Sequence, residues 1–167
     1  MVRECVIMSM TVEGKTIKIV KLAADDLDKF VHLIKLFEDV FSMENFVMPD
    51  KKHLEQLLTK SDFFVFVALE NNEVVGGLTA YTLHQYYSKL PLVYIYDLAV
   101  KTTLQRRGIG KLLISGITSY CQEFGMEEVF VQADKIDDYA LDFYRSTGAM
   151  EEEVVHFYYP LNKIQNT

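Results

Sequence analysis

The stretch VYIYDLAVKTTLQRRGIG (93–110) holds the residues best placed to do chemistry. Val93–Val100 is rich in β-branched and aromatic residues and reads as a strand. Lys101–Arg107 is a short polar connection, and Gly108–Ile109–Gly110 opens a run with helical periodicity. A strand that turns through glycines into a helix makes an anion site. Free N–H groups point out of the helix start, and the helix dipole adds partial positive charge. Gly108 and Gly110 allow a phosphate to approach the backbone, while Arg106, Arg107 and Lys111 add full charges. The phosphate-loop pattern GxxxxGK[ST] is absent. The dinucleotide pattern GxGxxG fails because Leu113 stands where a third glycine is needed. What remains is Q-x-x-G-x-G, from Gln105 to Gly110.

Asp97 is the anomaly of the strand. It sits between Tyr96 and Leu98 in an apolar and aromatic run, so its carboxylate needs a hydrogen-bond partner or a water-filled cleft. His32, His53, His84 and His156 are scattered, with no H-E-x-x-H, and no G-x-S-x-G nucleophile elbow occurs. The histidines are expected to be structural or exposed, with His156 on the last strand as a candidate for the border of a site. Cys121 falls on the apolar face of its helix and reads as core, and the two cysteines form no metal pattern.

These residues need a framework. At 167 residues, half of them apolar, the chain is long enough for one domain with a sizeable core, expected over 15–167 behind a loose, mobile leader at 1–14. The net charge of −7 argues against a nucleic-acid or membrane-surface binder. An acidic chain with one small basic loop suggests an anionic cofactor at that loop and a cationic substrate elsewhere. No signal peptide or membrane span is read, which makes the cytoplasm the expected location.

Periodicity gives strands at 15–23, 62–70, 73–86, 93–100, 128–133 and 152–159. Helices are expected from Asp25 or Asp26 to about Phe41, over 50–60, from Gly108 to about Phe124, and from Asp137 or Asp138 to about Thr147. Asn71–Asn72 signals a hairpin and Gly76–Gly77 a bulge or kink. The order is mixed α/β, with a mixed sheet covered by helices on both faces. Tyr144 shares its helix with Tyr139, Leu141 and Phe143, so a core tyrosine is one reading of it.

The Gln105–Gly110 loop resembles the acetyl-coenzyme A pyrophosphate loop of the GNAT N-acetyltransferase superfamily. The element order also resembles the GNAT fold, a central, mostly antiparallel mixed sheet with about four helices, over about Lys15 to Leu161. More closely, YIYDLAV (94–100), RRGIG, VQAD (131–134), Asp137–Asp138, Tyr144 and EEVVHF (152–157) look like the GNAT-type aminoglycoside 3-N-acetyltransferases. Those enzymes acetylate the 3-amino group of deoxystreptamine. The resemblance implies acetyl-CoA as cofactor, held by Gln105, Arg106, Arg107, Gly108, Ile109, Gly110 and Lys111, with the backbone of Leu98, Ala99 and Val100 along the pantetheine arm. It also implies a tyrosine at position 144 that donates a hydrogen bond to the leaving sulfur, and a homodimer.

Acyl transfer to an amine requires a deprotonated amine, a stabilised carbonyl oxygen and a stabilised leaving thiolate, but no metal and no protein nucleophile. Asp97 then has two readings: a buried, satisfied aspartate that orders the strand, or the group that receives the amine or orients the water that deprotonates it. Carboxylates crowd residues 123–153, and most read as solvated surface and helix caps. Asp134, at a strand end, is the best candidate for holding a polycationic aminosugar, followed by Asp137, Asp138, Glu152 and Glu153. Another amine substrate (polyamine, amino acid or protein N-terminus) and a non-catalytic acyl-CoA sensor stay open.

Overall fold

The computed structural model describes residues 5–12 and 14–161, apart from the side chain of Cys5. Residues 1–4 and 13 of the expected leader, and 162–167 of the polar tail, lie outside the described residues. The described chain divides into two compact units, Met1–Gln132 and Ala133–Thr167.

The first unit is built on a six-stranded sheet in sequential order. Its strands are β1 (Cys5–Val12), β2 (Lys15–Lys21), β3 (Phe63–Glu70), β4 (Glu73–Leu83), β5 (Leu92–Val100) and β6 (Glu128–Val131). The first five pair antiparallel and β6 runs parallel to β5, which gives the mixed, mostly antiparallel sheet expected. Three helices belong to this unit: α1 (Leu27–Val40), α2 (Lys51–Leu58) and α3 (Ile109–Glu123). The stretch read as a loose leader is instead strand β1 over Cys5–Val12. Its apolar residues Ile7, Met8 and Val12 have a place to go, packed against the core beneath α3.

Side-chain alternation divides the core between the two faces of the sheet. One face packs Val20, Val65, Val67 and Ala99 against Phe30, Leu33 and Phe37 of α1 and Leu54 of α2. The other packs Ile19, Phe66, Leu78 and Ile95 against Ile109, Leu113 and Ile117 of α3. Phe63 to Leu69 of β3 are all buried, as a central strand covered on both faces requires. Cys121 is buried in the α3 core as expected, and burial pushes its thiol up to about 11. The Gly76–Gly77 irregularity is real: Ala68 pairs with Gly76 and Leu69 with Val74, so β4 bulges at Val75. At Gly77 a Cβ would lie 2.6 Å from both the Phe66 carbonyl oxygen and Leu33 Cδ1, so α1 rests on β4 only because no side chain intervenes.

The second unit holds α4 (Asp138–Ser146), capped by Asp137, whose carboxylate accepts from the Ala140 N–H at 2.9 Å. The strand expected over 152–159 does not form among the described residues. Glu152–Tyr159 is irregular and exposed, with Val155 77% and Phe157 82% accessible. Strand propensity is realised only where a ladder partner takes the backbone hydrogen bonds, and here no sheet pairing includes these residues.

Candidate active site

β5 carries the site because its two edges behave differently. On one side it pairs with β4 along its length, Thr79 with Asp97 and Ala80 with Ile95. That register passes over Tyr96, so β5 bulges there and the local backbone is released from the ladder. On the other side the pairing with β6 ends at Ile95 opposite Val131. The Lys101 N–H donates to the Val75 carbonyl of β4 at 2.9 Å. Alternation therefore turns the backbone groups of Leu98 and Val100 toward the edge that β6 leaves open, while those of Ala99 face β4.

The chain then makes a 3-10 turn at Thr102–Leu104, and the Gln105 Nε2 donates back to the Val100 carbonyl at 3.2 Å. Gln105 thus ties the loop to the end of β5. Arg106 has φ +63° and Gly108 φ +83°, two left-handed residues that fold the chain into α3. Gly108 is the N-cap and no acidic residue occupies the first turn. The first bond of the α3 ladder runs from the Leu112 N–H to the Gly108 carbonyl at 3.0 Å, so the amides of residues 109–111 precede it. The nearest atom to a Cβ built on Gly108 is Met10 Cε at 3.9 Å, so the position has room on its outer side. This fits the pyrophosphate of a coenzyme: outward amides, a left-handed glycine and neighbouring cations.

On the α1–α2 face of the sheet lies a cavity of about 230 Å³ with Asp97 in its wall. α1 gives it Phe30, Ile34 and Phe37, and α2 gives His53, Leu54 and Leu57. The connection between these helices gives Met43, Phe46 and Pro49. The sheet gives Phe63, Thr79, Tyr81 and Tyr96. Asp97 is half-buried, and burial raises its carboxyl above the ordinary carboxylate range. Among the described residues no hydrogen bond or ion pair reaches that carboxylate. Burial also raises the phenols of Tyr81 and Tyr94, with smaller contributions from Tyr96 and Asp97.

Of the residues lining this cavity, only Asp97 is among those expected from the sequence. Phe30, Phe37, Met43, Phe46, His53 and Tyr81 come from four separate segments, with no spacing to betray them. Tyr96 had a signal, its place beside Asp97. All four histidines are exposed, as expected, but His53 lines the cavity, and no strand carries His156 to a site border.

The remaining candidates stand in the second unit. Tyr144 is half-buried on α4, its ring edge-on to Phe143 at 5.0 Å. Asp134 accepts from the Ile136 N–H at 3.2 Å, Asp137 caps α4 and Asp138 lies in its first turn. Glu152 and Glu153 are exposed, with Glu153 3.9 Å from Lys135. Arg145 holds Asp142 at 3.2 Å and Glu151 at 2.9 Å, so part of the acidity of this unit is neutralised internally.

A mixed sheet whose fifth strand leads through a left-handed glycine into a helix start, with a carboxylate-bearing cavity beside that strand, defines a GNAT-type acyltransferase. The acetyltransferase (GNAT) family model matches residues 30–149, and the chain belongs to this family. It is similar to the aminoglycoside acetyltransferase meta-AAC0020 from an uncultured soil metagenomic sample, solved with trehalose. The two share 62% identity over 87% of this chain and 97% of that one, with a TM-score of 0.85. In a second structure meta-AAC0020 is bound to sisomicin, at 61% identity and a TM-score of 0.86 over the same shares. The aminoglycoside acetyltransferase HMB0005, also from an uncultured soil metagenomic sample, is 33% identical over 87% of this chain and 99% of that one, with a TM-score of 0.81. No curated protein matches. No helix among the described residues is long and apolar enough to cross a membrane, and no His, Cys, Asp and Glu cluster there could hold a metal.

Proposed function

We propose that the protein acetylates an amine of an aminoglycoside with acetyl-CoA as donor. The observation that carries this reading is Asp97: a half-buried carboxylate on a cavity wall, unpaired among the described residues, beside the strand bulge. An aspartate that merely ordered the strand would need a hydrogen bond to do so. The likeness to an enzyme solved with sisomicin, at 61% identity, supports an aminoglycoside as the acceptor class.

Acetyl-CoA supplies an acetyl group already activated as a thioester. The amides opening α3, with Arg106, Arg107 and Lys111, hold the pyrophosphate, and Gln105 keeps the loop folded for it. Leu98 and Val100 offer backbone donors and acceptors to the pantetheine amides along the open β5 edge. The bulge at Tyr96 frees backbone groups to stabilise the carbonyl oxygen. Asp97 takes the ammonium proton, directly or through a water, and its raised pKa brings it nearer the working pH of a base. Tyr144 donates a hydrogen bond from its hydroxyl to the leaving sulfur, stabilising the developing thiolate. Asp134, Asp138, Glu152 and Glu153 attract the remaining ammonium groups of the polycation, and Asp137 adds charge while capping α4.

The sequence resemblance points to the 3-amino group. Structural neighbours with a stated position are of the 6′ type, such as AAC(6')-Iy in complex with CoA, but at 20% identity they speak for the fold alone. A homodimer belongs to the same reading. The test is an amine panel read by free-thiol release, with mass spectrometry and NMR of the product. Acetylated sisomicin is the expected result, and NMR gives the position. Acetylation of spermidine or a peptide amine alone would refute the aminoglycoside reading, and thioester binding without any transfer would leave a sensor.

A further inference from the structure

Tyr96 is an oddity of the sheet. Its neighbours Ile95 and Asp97 are buried and half-buried, yet Tyr96, one residue past the last β5–β6 pair, is 61% exposed. The bulge sets two successive residues, Tyr96 and Asp97, on the wall of one cavity. Its ring is nonetheless held in place. Tyr81 meets it edge-on at 5.9 Å and Tyr94 at 6.0 Å. The series continues outward, with Tyr94 stacked on Phe130 of β6 at 5.0 Å. Four rings from β4, β5 and β6 thus form a continuous aromatic surface, and Tyr96 and Tyr81 at one end of it line the Asp97 cavity.

The cavity is small. Its volume of about 230 Å³ lies below the ~300–1,000 Å³ of sites that enclose a drug-sized ligand. It takes one ring, or one amine with its carbon, and leaves the rest of a larger acceptor outside. A tyrosine fixed by neighbouring rings offers contact area at little entropic cost. Its face attracts both the C–H side of a saturated ring and the positive charge of an ammonium.

We propose that Tyr96, supported by Tyr81 and Tyr94, is the platform on which the acceptor's ring lies while Asp97 receives the amine, so that the enzyme selects amines borne on a saturated ring over linear polyamines. This rests on the reading of Asp97 as the amine-receiving group.

The test measures kcat/KM for sisomicin and for spermidine in wild type, Tyr96→Ala and Tyr96→Phe, beside the melting-temperature rise given by acetyl-CoA. In Tyr96→Ala the sisomicin-to-spermidine ratio is expected to fall by about five- to tenfold, mainly through the sisomicin KM, with the acetyl-CoA response kept. Tyr96→Phe should keep the wild-type ratio, because the ring remains. A ratio within twofold of wild type in Tyr96→Ala overturns the platform, and so does an equal loss in Tyr96→Phe, which would assign the effect to the hydroxyl. A wild type that acetylates spermidine but not sisomicin also overturns it while leaving acetyl transfer intact. A wild type that binds acetyl-CoA but acetylates neither overturns the functional reading as well.

Discussion

Replacing Asp97 by asparagine separates its chemistry from its structural cost. Asparagine keeps the size of the side chain and its hydrogen-bonding capacity but takes no proton. A positioned general base is worth about 10²- to 10⁴-fold in rate, which at ~1.36 kcal/mol per decade is about 2.7 to 5.4 kcal/mol of barrier. Turnover of sisomicin by Asp97→Asn should therefore drop by at least about 10²-fold, with the acetyl-CoA-induced rise in melting temperature retained. Stability should move the other way. Burial raises the Asp97 pKa in the folded protein, so between the unfolded and folded values the native state binds more protons than the unfolded one. Stability then falls as pH rises through that window, and the cost is fully present above the folded pKa. Asp97→Asn should melt higher than wild type at neutral pH, and the difference should vanish below roughly pH 4, where the unfolded carboxyl is also neutral. In wild type the acidic limb of kcat/KM should lie above the ordinary aspartate range. The measurements are free-thiol release for turnover and melting temperature against pH for stability. Near wild-type turnover, or a lower melting temperature at neutral pH, would refute the reasoning, since the second result is what a strand-ordering carboxylate predicts.

Gly108→Asp should abolish the melting-temperature response to acetyl-CoA. It sets a side chain at φ +83° and a negative charge at the opening of α3; an unchanged response in the folded variant would remove the anion site. Tyr144→Phe should lower turnover by roughly tenfold or more with little loss of stability, as expected of a hydrogen-bond donor to the leaving sulfur. Normal turnover with a lower melting temperature would make Tyr144 a core residue. Asp134→Asn should raise the KM for sisomicin more than it lowers kcat, and added salt should raise the wild-type KM as screening shortens the attraction to a Debye length of ~8 Å. A KM indifferent to both would leave the acidic surface without a role in binding.

Local signals in the sequence were legible where one segment carries the whole feature. Asp26 and Asp50 stand at the starts of α1 and α2, and Asp50 accepts from the His53 N–H at 3.0 Å. Asn71 and Asn72, at φ +50° and +66°, make the turn joining β3 and β4. Gly108 enters α3 in the left-handed conformation that a close anion approach favours. The first strand was missed because Cys5–Val12 carries no charge to mark an alternation, and its pairing with β2 depends on the core beneath α3. The strand expected at 152–159 fails for the complementary reason: its propensity is strong, but a ladder needs a partner that composition cannot supply.

The cavity shows most clearly where sequence reading stops. Phe30 and Tyr96 are far apart in the chain, yet Phe30 meets Phe63 at 6.0 Å, Phe63 meets Tyr81 at 5.1 Å, and Tyr81 meets Tyr96 at 5.9 Å. Each of these residues, taken in its own segment, is an ordinary core aromatic. They become a wall because Gly77 lets α1 come down onto β4, and because one extra residue in β5 turns Tyr96 out beside Asp97. A bulge leaves almost no trace in composition, since the extra residue looks like any other member of the strand. Asp97 was visible as an anomaly because a carboxylate conflicts with its apolar neighbours. Tyr96 was marked only by its place beside Asp97, because a tyrosine itself conflicts with nothing. A buried carboxylate therefore announces itself in sequence by its cost, whereas the aromatic residues of a cavity wall are hidden among those that a core would choose anyway.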